Sequence, residues 1–409
     1  MIKLVPPVIQ QLLTLTKHDQ KVFDKFACNF WEDHAIFKYN SLLITYYFKI
    51  QSPNQYDNLR KNYRIPDDVT VFCDSGAYGA ITHNKKLDPH DVFDWQRRNG
   101  DIAFILDEIP QQVDIASTVG KTNIKHFGFK EFKKCADKTY QNCEIFFNMR
   151  GNNRKPLIYG ITHGLPVRNL LTNEQEDMYD YWFDKLKDFD FDGWGTGFKP
   201  VSNPLLQALA IMKLYDKGIR ENIHLLGVAA ARTIPVMVWA SKYVENMTFD
   251  GTRYGHGATT RMYFYPERIS KLKFWGEKIF KDPRRGIHDD YSKGALICQC
   301  DVCRTILNSF GDLNFYGKSG SFSGALLALH NLLVHTNLIS EYEKRLNNKE
   351  SFLQLAEQHM RRAAYLQVVQ AIEFIEDCVT DGFNKTYNKY LAAGFDFGIR
   401  KGKMREGMA

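Results

Sequence analysis

Three closely spaced cysteines and a distant histidine are the residues whose spacing most clearly predicts chemistry. Cys298, Cys300 and Cys303 lie in one short segment, and His330 lies in the apolar, helix-forming segment GALLALHNLLVH. Three thiolates and an imidazole are the ligands of a tetrahedral structural zinc site. The alternative is three buried free thiols and a core histidine, which the close spacing of the cysteines disfavours. We predict a structural Zn²⁺ whose protein ligands leave no open position for catalysis.

Catalytic groups must therefore be sought elsewhere, and polar residues follow several apolar segments. Asp74 follows VTVFC, Asp107 and Glu108 follow DIAFIL, His163 follows LIYGIT, and Asp250 follows MTF. Each residue alone is also typical of a turn or a helix N-cap. If the strand ends meet, these carboxylates and the imidazole could form one site for acid–base and nucleophilic chemistry.

Short apolar strands and longer helical segments alternate along the chain, as the positioning of such a site requires. The predicted strands are residues 69–74, 101–108, 155–162, 193–198, 222–228 and 246–251. The predicted helices between them include residues 88–100, 172–189, 203–218 and 232–244. This pattern is typical of parallel βαβ units and favours an α/β fold, a (β/α)₈ TIM-like barrel, over an open sheet. Active sites of such barrels lie at the carboxyl ends of the strands.

Length and composition fit a large globular protein. The chain has 409 residues, 44% of them apolar, and a net charge of +7, which permits an anionic partner without requiring one. We expect an N-terminal extension or barrel cap (1–65), the main part of the catalytic barrel (66–290), a zinc-binding subdomain (291–340), and C-terminal helices with a basic tail (341–409).

Three features predict a cytoplasmic protein. The sequence has no run of about 18 apolar residues that would span a membrane. Its first residues, MIKLVPPVIQQLL, lack a signal-peptide cleavage pattern. The remaining cysteines are scattered singly and form no disulfide framework.

A basic segment at residues 268–293 carries Phe274 and Trp275 among its positive charges. Lysines and arginines interleaved with aromatic rings are typical of surfaces that bind phosphates and bases. An ordinary solvated face is the alternative. The candidate nucleic-acid-binding residues of this segment are Lys271, Lys273, Arg284 and Arg285.

In this order, the segments resemble the tRNA-guanine transglycosylase superfamily. The resemblance rests on CDSGAYGA (73–80), WQRRNGDIAFILDEIP (95–110), YGITHG (159–164), HLLGVA (224–229), TFDGTR (248–253) and the Cys-x-Cys-x-x-Cys with its later His-Asn-Leu. It covers about residues 70–335, and the zinc motif is its most specific part. The resemblance implies exchange of a guanine base in a nucleic acid, a pentosyltransferase reaction.

The resemblance also implies roles for individual residues. Asp250 would be the nucleophile that attacks C1′, and Asp74 would be the general acid/base. Asp107 would accept hydrogen bonds from the guanine base, and Tyr78 would stack on it. His163, where the family has Gln, would donate a ring N–H to O6. The backbone around Gly197 would line the same pocket.

Departures from the family pattern point to a different polynucleotide. GTRYGHGATTR (251–261) replaces the family's Pro-Thr-Arg after the nucleophile, which makes Arg253 and Arg261 further candidates for nucleic-acid binding. The pattern is closest to the DNA-modifying branch, in which guanine in DNA is exchanged for 7-cyano-7-deazaguanine (preQ0) or a relative. This branch implies DNA and a 7-deazaguanine base as partners, in a bacterial or phage-infected cell, with room for a homodimer or accessory modification proteins.

Other functions remain open from the sequence. The protein could act on tRNA, could be a non-catalytic nucleic-acid-binding subunit, or could be a glycosylase that removes a base and stops. Asp74 and Asp250 argue against the binding subunit, because such partners in the superfamily lose the catalytic carboxylates. A zinc hydrolase is disfavoured, because a Cys₃His set saturates the metal.

Overall fold

The computed structural model describes most of the chain. The described residues are 2–8, 29–32, 35, 38–110, 113–115, 124–126, 129–163, 178–196, 203–228, 230, 232–264, 271–275, 278–281, 290–291, 298–311, 313–317 and 321–393. Of the predicted site residues, Gly197, Arg284 and Arg285 lie outside these ranges.

The strands of the described part form three sheets. In chain order they are β1 (Lys3–Leu4), β2 (Ser41–Thr45), β3 (Thr70–Asp74), β4 (Ile102–Phe104), β5 (Val113–Ile115), β6 (Ile124–His126), β7 (Leu157–Thr162), β8 (Gly193–Thr196), β9 (Ile223–Leu225), β10 (Thr248–Phe249), β11 (Met262–Phe264), β12 (Lys271–Trp275), β13 (Lys278–Lys281) and β14 (Asp290–Tyr291). The main sheet has eight strands in the order β1-β10-β9-β8-β7-β4-β3-β2. All its neighbours are parallel. The hairpin β5–β6 and the sheet β11–β14 are antiparallel.

The main sheet is curled into a half-barrel, and the chain after β1 reaches its opposite edge. Pro7 forms a parallel bridge with Leu43 of β2. The N–H of Val8 donates to the Leu43 carbonyl at 2.8 Å, and the Leu43 N–H donates to the Pro6 carbonyl at 3.0 Å. The predicted parallel α/β architecture is confirmed, with the six predicted strands present as β3, β4, β7, β8, β9 and β10. The complete (β/α)₈ barrel stays a prediction.

The segment predicted as an N-terminal extension or cap supplies β1 and β2 to the main sheet. Tyr254 donates its hydroxyl hydrogen to the Pro7 carbonyl, and Tyr39 and Thr336 join their hydroxyls at 2.5 Å. This N-terminal part is therefore bonded to later helices as well as to the sheet. The proposed domain boundaries stay predictions.

Helices follow most strands of the main sheet. They are α1 (Tyr46–Gln51), α2 (Leu59–Tyr63), α3 (Ala77–Thr82), α4 (Pro89–Asn99), α5 (Phe129–Arg150), α6 (Met178–Leu186), α7 (Pro204–Asp216), α8 (Ile234–Ala240), α9 (Arg253–Thr259), α10 (Asp301–Phe310), α11 (Ser321–Glu343), α12 (Lys349–His359), α13 (Arg362–Asp381) and α14 (Phe383–Ala392). Sequence signals explain their starts: Asp88 caps α4 by accepting the His90 N–H, and Asn203 caps α7 by accepting the Leu205 N–H. A proline at the first helical position follows each cap.

Two carboxylates tie the strands together where they begin. Asp101 accepts the Val71 N–H at 2.8 Å and pairs with Arg60 at 2.7 Å. Asp192 makes the same arrangement further along the sheet, with the Ile158 N–H and with Arg150. We call this side the N-terminal edge of the sheet, and the side where the strands end the C-terminal edge.

The late part of the chain covers the sheet from outside. Helix α13 packs on α7 and α8, and Trp239 of α8 meets Phe352 of α12 edge to face at 4.9 Å. One helix of the described part, Phe322–Glu343, is long and apolar enough to cross a membrane, but 78% of its apolar window is buried inside the protein. That burial is typical of a core helix. Trp95, Trp194 and Trp239 are buried, as predicted.

Candidate active site and metal centre

Three carboxylates meet at the C-terminal edge of the main sheet. Asp74 ends β3, Asp107 follows β4, and Asp250 follows β10. Burial and, to a smaller extent, the nearby charges of Asp107 and Asp250 raise the pKa of Asp74 to about 6. Hydrogen bonds from Thr45 and from the Gly76 N–H, the latter at 3.2 Å, act in the opposite direction. Asp74 is therefore suited to exchange a proton near neutral pH.

Asp250 is held through one of its two oxygens. Its Oδ1 accepts the Gly227 N–H at 2.7 Å and faces His224 Nε2 at 3.2 Å. Gly227 has a φ of +70°, in the left-handed region that favours glycine. Among the described residues, no group donates to Oδ2. The arrangement suits a carboxylate with one oxygen fixed and the other available for attack.

Asp107 forms a buried pair with His163. The His163 Nε2 lies 2.5 Å from Asp107 Oδ2, and the Ser75 hydroxyl lies 3.4 Å from Oδ1. The His163 ring meets Trp182 edge to face at 4.9 Å. Because Nε2 faces Asp107, Nδ1 is the ring nitrogen left for a ligand. Donation from Nδ1 while Nε2–H bonds Asp107 requires the imidazolium form.

Buried amides hold the strand ends that carry these carboxylates. Gln96 of α4 donates to the Cys73 carbonyl at 2.9 Å and to the Phe104 carbonyl at 2.8 Å, thereby joining the ends of β3 and β4. Asn142 of α5 donates to the Leu106 carbonyl at 2.8 Å, next to Asp107. Gln96 of the WQRRNG segment and Asn142 thus hold the strand ends that carry the carboxylates.

Tyr78 lies in the first turn of α3, after the loop that carries Asp74. Its side chain is 62% exposed, the highest among the exposed large apolar side chains of the described part. An exposed aromatic ring four residues after Asp74 has a face on which a base could stack. Its stacking role stays a prediction.

The predicted basic residues fall in different environments. Arg253 begins α9, is half-buried, and has its pKa lowered by burial and by the charge of Arg232. Arg261 instead donates to the Tyr316 carbonyl at 3.3 Å and to the Ser323 hydroxyl at 3.0 Å. Lys271 and Lys273 lie on β12. Arg261 thus binds the segment that leads into α11, whereas Arg232 lies close enough to Arg253 for its charge to lower the pKa of Arg253.

The predicted metal ligands come together, as expected. The ligand atoms of Cys298, Cys300, Cys303 and His330 all lie within 4.8 Å of one another. His330 Nδ1 lies 4.0, 3.4 and 3.3 Å from the three sulfurs in chain order. Tetrahedral Zn–S and Zn–N bonds of about 2.0–2.3 Å imply ligand separations of roughly 3.5 Å. The cluster fits a metal such as zinc, whose identity stays a prediction.

Surrounding groups orient His330 toward the sulfurs. Its Nε2 lies 2.9 Å from the Phe264 carbonyl, so Nε2 carries the hydrogen and Nδ1 presents its lone pair. Tyr263 stacks on the imidazole at 4.0 Å, and Asn331 bonds the Phe264 N–H at 2.9 Å. These contacts join α11 to β11, so a metal here would fasten the segment 298–303 to α11.

Sequence reasoning missed three groups at the carboxylate cluster: Ser75, His224 and the Gly227 N–H. His224 left the clearest signal, because it is the only ionisable residue in the apolar strand segment NIHLLGV. A single buried imidazole in a strand is also compatible with ordinary packing. Its role depends on the register of β9 and β10, which the sequence does not contain.

Comparison with known proteins finds distant relatives. No protein-family model matches the chain. The chain is 24% identical over 291 residues to a queuine tRNA-ribosyltransferase of Francisella tularensis subsp. novicida (strain U112), covering 68% of this chain and 72% of that protein. Proteins of the same name from subspecies tularensis (strain WY96-3418) and mediasiatica (strain FSC147) are 23% identical over 291 residues. These relatives support the tRNA-guanine transglycosylase superfamily. They also support a pentosyltransferase at the level of the family.

Proposed function

We propose that the protein exchanges guanine in DNA for a 7-deazaguanine base, preQ0 or a relative, through a covalent bond to Asp250. The observation that carries this proposal is the presence of two carboxylates, Asp74 and Asp250, in different environments at one edge of the sheet. Asp74 has a raised pKa of about 6, while Asp250 has one oxygen bound to N–H groups and the other open. A proton-exchanging acid beside a fixed nucleophile is what base exchange requires.

The first half of the reaction removes guanine. Asp250 Oδ2 forms a bond to C1′ as the C1′–N9 bond breaks, and the electron pair of that bond leaves with the guanine. Protonated Asp74 gives its proton to the departing base. C1′ is inaccessible in a stacked strand, so the target nucleotide is first turned out, at a cost of about a few kcal/mol.

The second half reverses these steps with a different base. The incoming 7-deazaguanine base gives its N9 proton to Asp74 and forms the new bond to C1′. Asp250 leaves as a carboxylate. Each half-reaction returns Asp74 to the protonation state that the other half requires, so no net acid or base is consumed.

The buried pair of Asp107 and His163 would bind the base. Asp107 would accept from the guanine N1–H and 2-amino groups, since its oxygens are otherwise bound only by His163 and weakly by Ser75 among the described residues. His163 would reach O6 through Nδ1. Tyr78 would stack on the base, and the backbone near Gly197 would complete the pocket.

We propose DNA rather than tRNA as the substrate because segment 251–261 departs from the family pattern. The names of the relatives favour tRNA, which is the alternative. Arg253 within that segment and Arg232 beside it are half-buried cations. Two cations near the nucleophile suit the phosphates that flank a target nucleotide of either polynucleotide. A cytoplasmic location, in a bacterium or a phage-infected cell, follows from this substrate.

The half-barrel is part of the same proposal. Residues 6–8, which follow β1, are hydrogen-bonded to Leu43 of β2 at the opposite edge of the sheet. These bonds would close the sheet into a (β/α)₈ barrel, in which all strand ends surround one mouth. Closure would bring the ends of β3, β4 and β10 around one substrate pocket.

The decisive experiment measures release of labelled guanine from DNA and from tRNA in parallel, with preQ0 supplied. Release from DNA alone, lost in Asp250→Asn, supports the proposal. Release from tRNA alone assigns the protein to tRNA modification. Release from neither, together with intact nucleic-acid binding, supports a non-catalytic subunit.

A glycosylase is separated from a transglycosylase by omitting the acceptor base. Accumulation of abasic sites under that condition indicates hydrolysis. Incorporation of labelled preQ0 in amounts equal to the guanine released indicates exchange.

A further inference from the structure

His224 occupies an unusual place for an ionisable side chain. It lies in the middle of β9, is fully buried, and is flanked by the rings of Phe72 at 5.5 Å and Phe104 at 4.9 Å. A buried imidazole among aromatic rings is costly unless both ring nitrogens are hydrogen-bonded. Both nitrogens of His224 have partners, and both partners come from the adjacent strand region.

The partners define a short relay that ends at Asp250. His224 Nδ1 lies 2.8 Å from the Thr248 hydroxyl oxygen, and Nε2 lies 3.2 Å from Asp250 Oδ1. The other acceptor for the Thr248 hydroxyl, the Ile223 carbonyl, is 3.5 Å away. The hydroxyl is therefore better used as a donor to Nδ1. That leaves the hydrogen on Nε2, which donates to Asp250.

Strand pairing fixes the relay. β9 and β10 are parallel, with Thr248 opposite His224 and Phe249 opposite Leu225. Asp250 follows at the end of β10, where its N–H donates to the Leu225 carbonyl at 3.2 Å. The backbone thus holds the imidazole and the carboxylate in one geometry, and the Gly227 N–H binds the same oxygen from the loop after β9.

We propose that His224 is a positioning residue for the nucleophile: in its Nε2–H form, set by Thr248, it fixes Asp250 Oδ1 and thereby selects Oδ2 as the attacking oxygen. This inference rests on the proposed function and adds a residue to it. His224 contacts neither base nor sugar in this role. It acts through Asp250, as the third member of a nucleophilic site orients the group that reacts.

The test uses two replacements of His224 in the full chain. His224→Phe keeps an aromatic ring but removes the donor, whereas His224→Gln keeps an N–H donor. We expect His224→Phe to slow single-turnover guanine release by about 10²-fold with unchanged DNA affinity, since misplacing a reacting group has effects of this size. His224→Gln should recover most of the lost rate. A rate within twofold of wild type for folded His224→Phe overturns the proposal.

Thr248 supplies a second variant that is less disruptive. Thr248→Val removes the hydroxyl at nearly constant shape, and Thr248→Ser is its matched control. If Thr248 acts through His224, Thr248→Val alone should slow single-turnover guanine release severalfold. The same change made in His224→Phe should cause no further loss of rate. Additive losses, or losses that follow thermal stability, show that both residues serve packing alone.

A readout independent of activity separates this inference from the proposed function. ¹⁵N spectra of histidine-labelled protein, assigned by the signal lost in His224→Phe, report which ring nitrogen carries hydrogen. We expect hydrogen on Nε2 only, and a changed Nε2 signal in Asp250→Asn. Hydrogen on Nδ1 only, or on both nitrogens, overturns the relay even if the protein exchanges bases. Guanine release from neither DNA nor tRNA, with the Nε2–H form observed, refutes the proposed function and leaves the relay as a structural fact without its catalytic role.

Discussion

Aspartates lie at both edges of the main sheet, but their partners differ. At the N-terminal edge, Asp101 and Asp192 each accept a backbone N–H and pair with an arginine. At the C-terminal edge, Asp74, Asp107 and Asp250 have no arginine or lysine partner among the described residues. Their donors are backbone N–H groups, hydroxyls and imidazoles.

The proposed function assigns a structural role to the carboxylates of the first edge and a reactive role to those of the second. A guanidinium is always charged, so it keeps its partner ionised and fixed. Hydroxyl and imidazole donors leave the carboxylate able to take up a proton or to attack an electrophile. Burial, together with the charges of Asp107 and Asp250, raises the pKa of Asp74 to about 6, and no arginine of the described part lies among the causes that would counter this shift. The two edges of the sheet therefore differ in the groups that bind their carboxylates.

The largest expected effect comes from removing the reactive oxygen at the C-terminal edge. Asp250→Asn should reduce base exchange by at least about 10⁴-fold, because an amide cannot form the covalent bond to C1′. DNA binding should persist. Denaturing gels of enzyme incubated with DNA should show a covalent adduct for wild type and none for the variant.

The matched control lies at the other edge. Asp101→Asn keeps an oxygen for the Val71 N–H but breaks the pair with Arg60. It should lower the free energy of unfolding by about 1–2 kcal/mol while leaving turnover per folded molecule unchanged. Loss of turnover in folded Asp101→Asn would contradict the division between the two edges.

Metal loss should affect stability before chemistry. Cys300→Ser removes one ligand of the Cys₃His cluster, and a structural zinc site contributes about 10 kcal/mol or more of binding free energy. We expect lost zinc and a broad, early thermal transition. Cys135→Ser is the control, since Cys135 lies on α5 away from the cluster. A Cys300→Ser protein that folds cooperatively but is inactive would contradict the structural role.

The raised pKa of Asp74 predicts opposite pH dependences for the two half-reactions. Guanine release needs protonated Asp74 and should slow as pH rises through about 6. Entry of the new base needs the carboxylate and should quicken over the same range. Single-turnover release and incorporation, measured separately from pH 5 to 8, check this. Parallel pH profiles would remove Asp74 from the acid/base role.

The same pKa sets a dependence of stability on pH. Folded Asp74 binds its proton more tightly than the unfolded chain, so wild type loses stability as pH rises from about 4 to about 6. Asp74→Asn escapes this loss. The variant should be more stable than wild type by on the order of 2 kcal/mol at pH 8, with little difference at pH 4. Urea unfolding at both values measures the difference.

The sequence predicted the parts of the fold that repeat and missed those that depend on long-range pairing. Six strands and the four residues of the Cys₃His cluster were identified, because apolar runs and cysteine spacing are local signals. β1 was missed because Lys3–Leu4 is too short to show alternation, and its partners are β10 and the region of Leu43. His224 was missed because its contact with Asp250 exists only in the register of β9 against β10.

Arginines also differ between the two edges of the sheet, and replacing them should have the smallest effect of the changes considered. At the N-terminal edge, Arg60 and Arg150 are used by aspartates. At the C-terminal edge, Arg232 and Arg253 lie close enough for repulsion to lower the pKa of Arg253, and no carboxylate of the described part pairs with either. Two half-buried cations without a carboxylate partner are stabilised when an anion arrives.

Arg253→Gln and Arg232→Gln should therefore each weaken binding of DNA severalfold and reduce the dependence of log K on log salt by about one unit. Fluorescence anisotropy with single- and double-stranded DNA between low and moderate salt measures both quantities. Arg60→Gln is the control, because its guanidinium serves Asp101 and should leave the salt dependence unchanged in folded protein. An unchanged slope for both C-terminal-edge variants would mean that these arginines repel each other without binding phosphate, and the edge would then owe its nucleic-acid affinity to residues outside the carboxylate cluster.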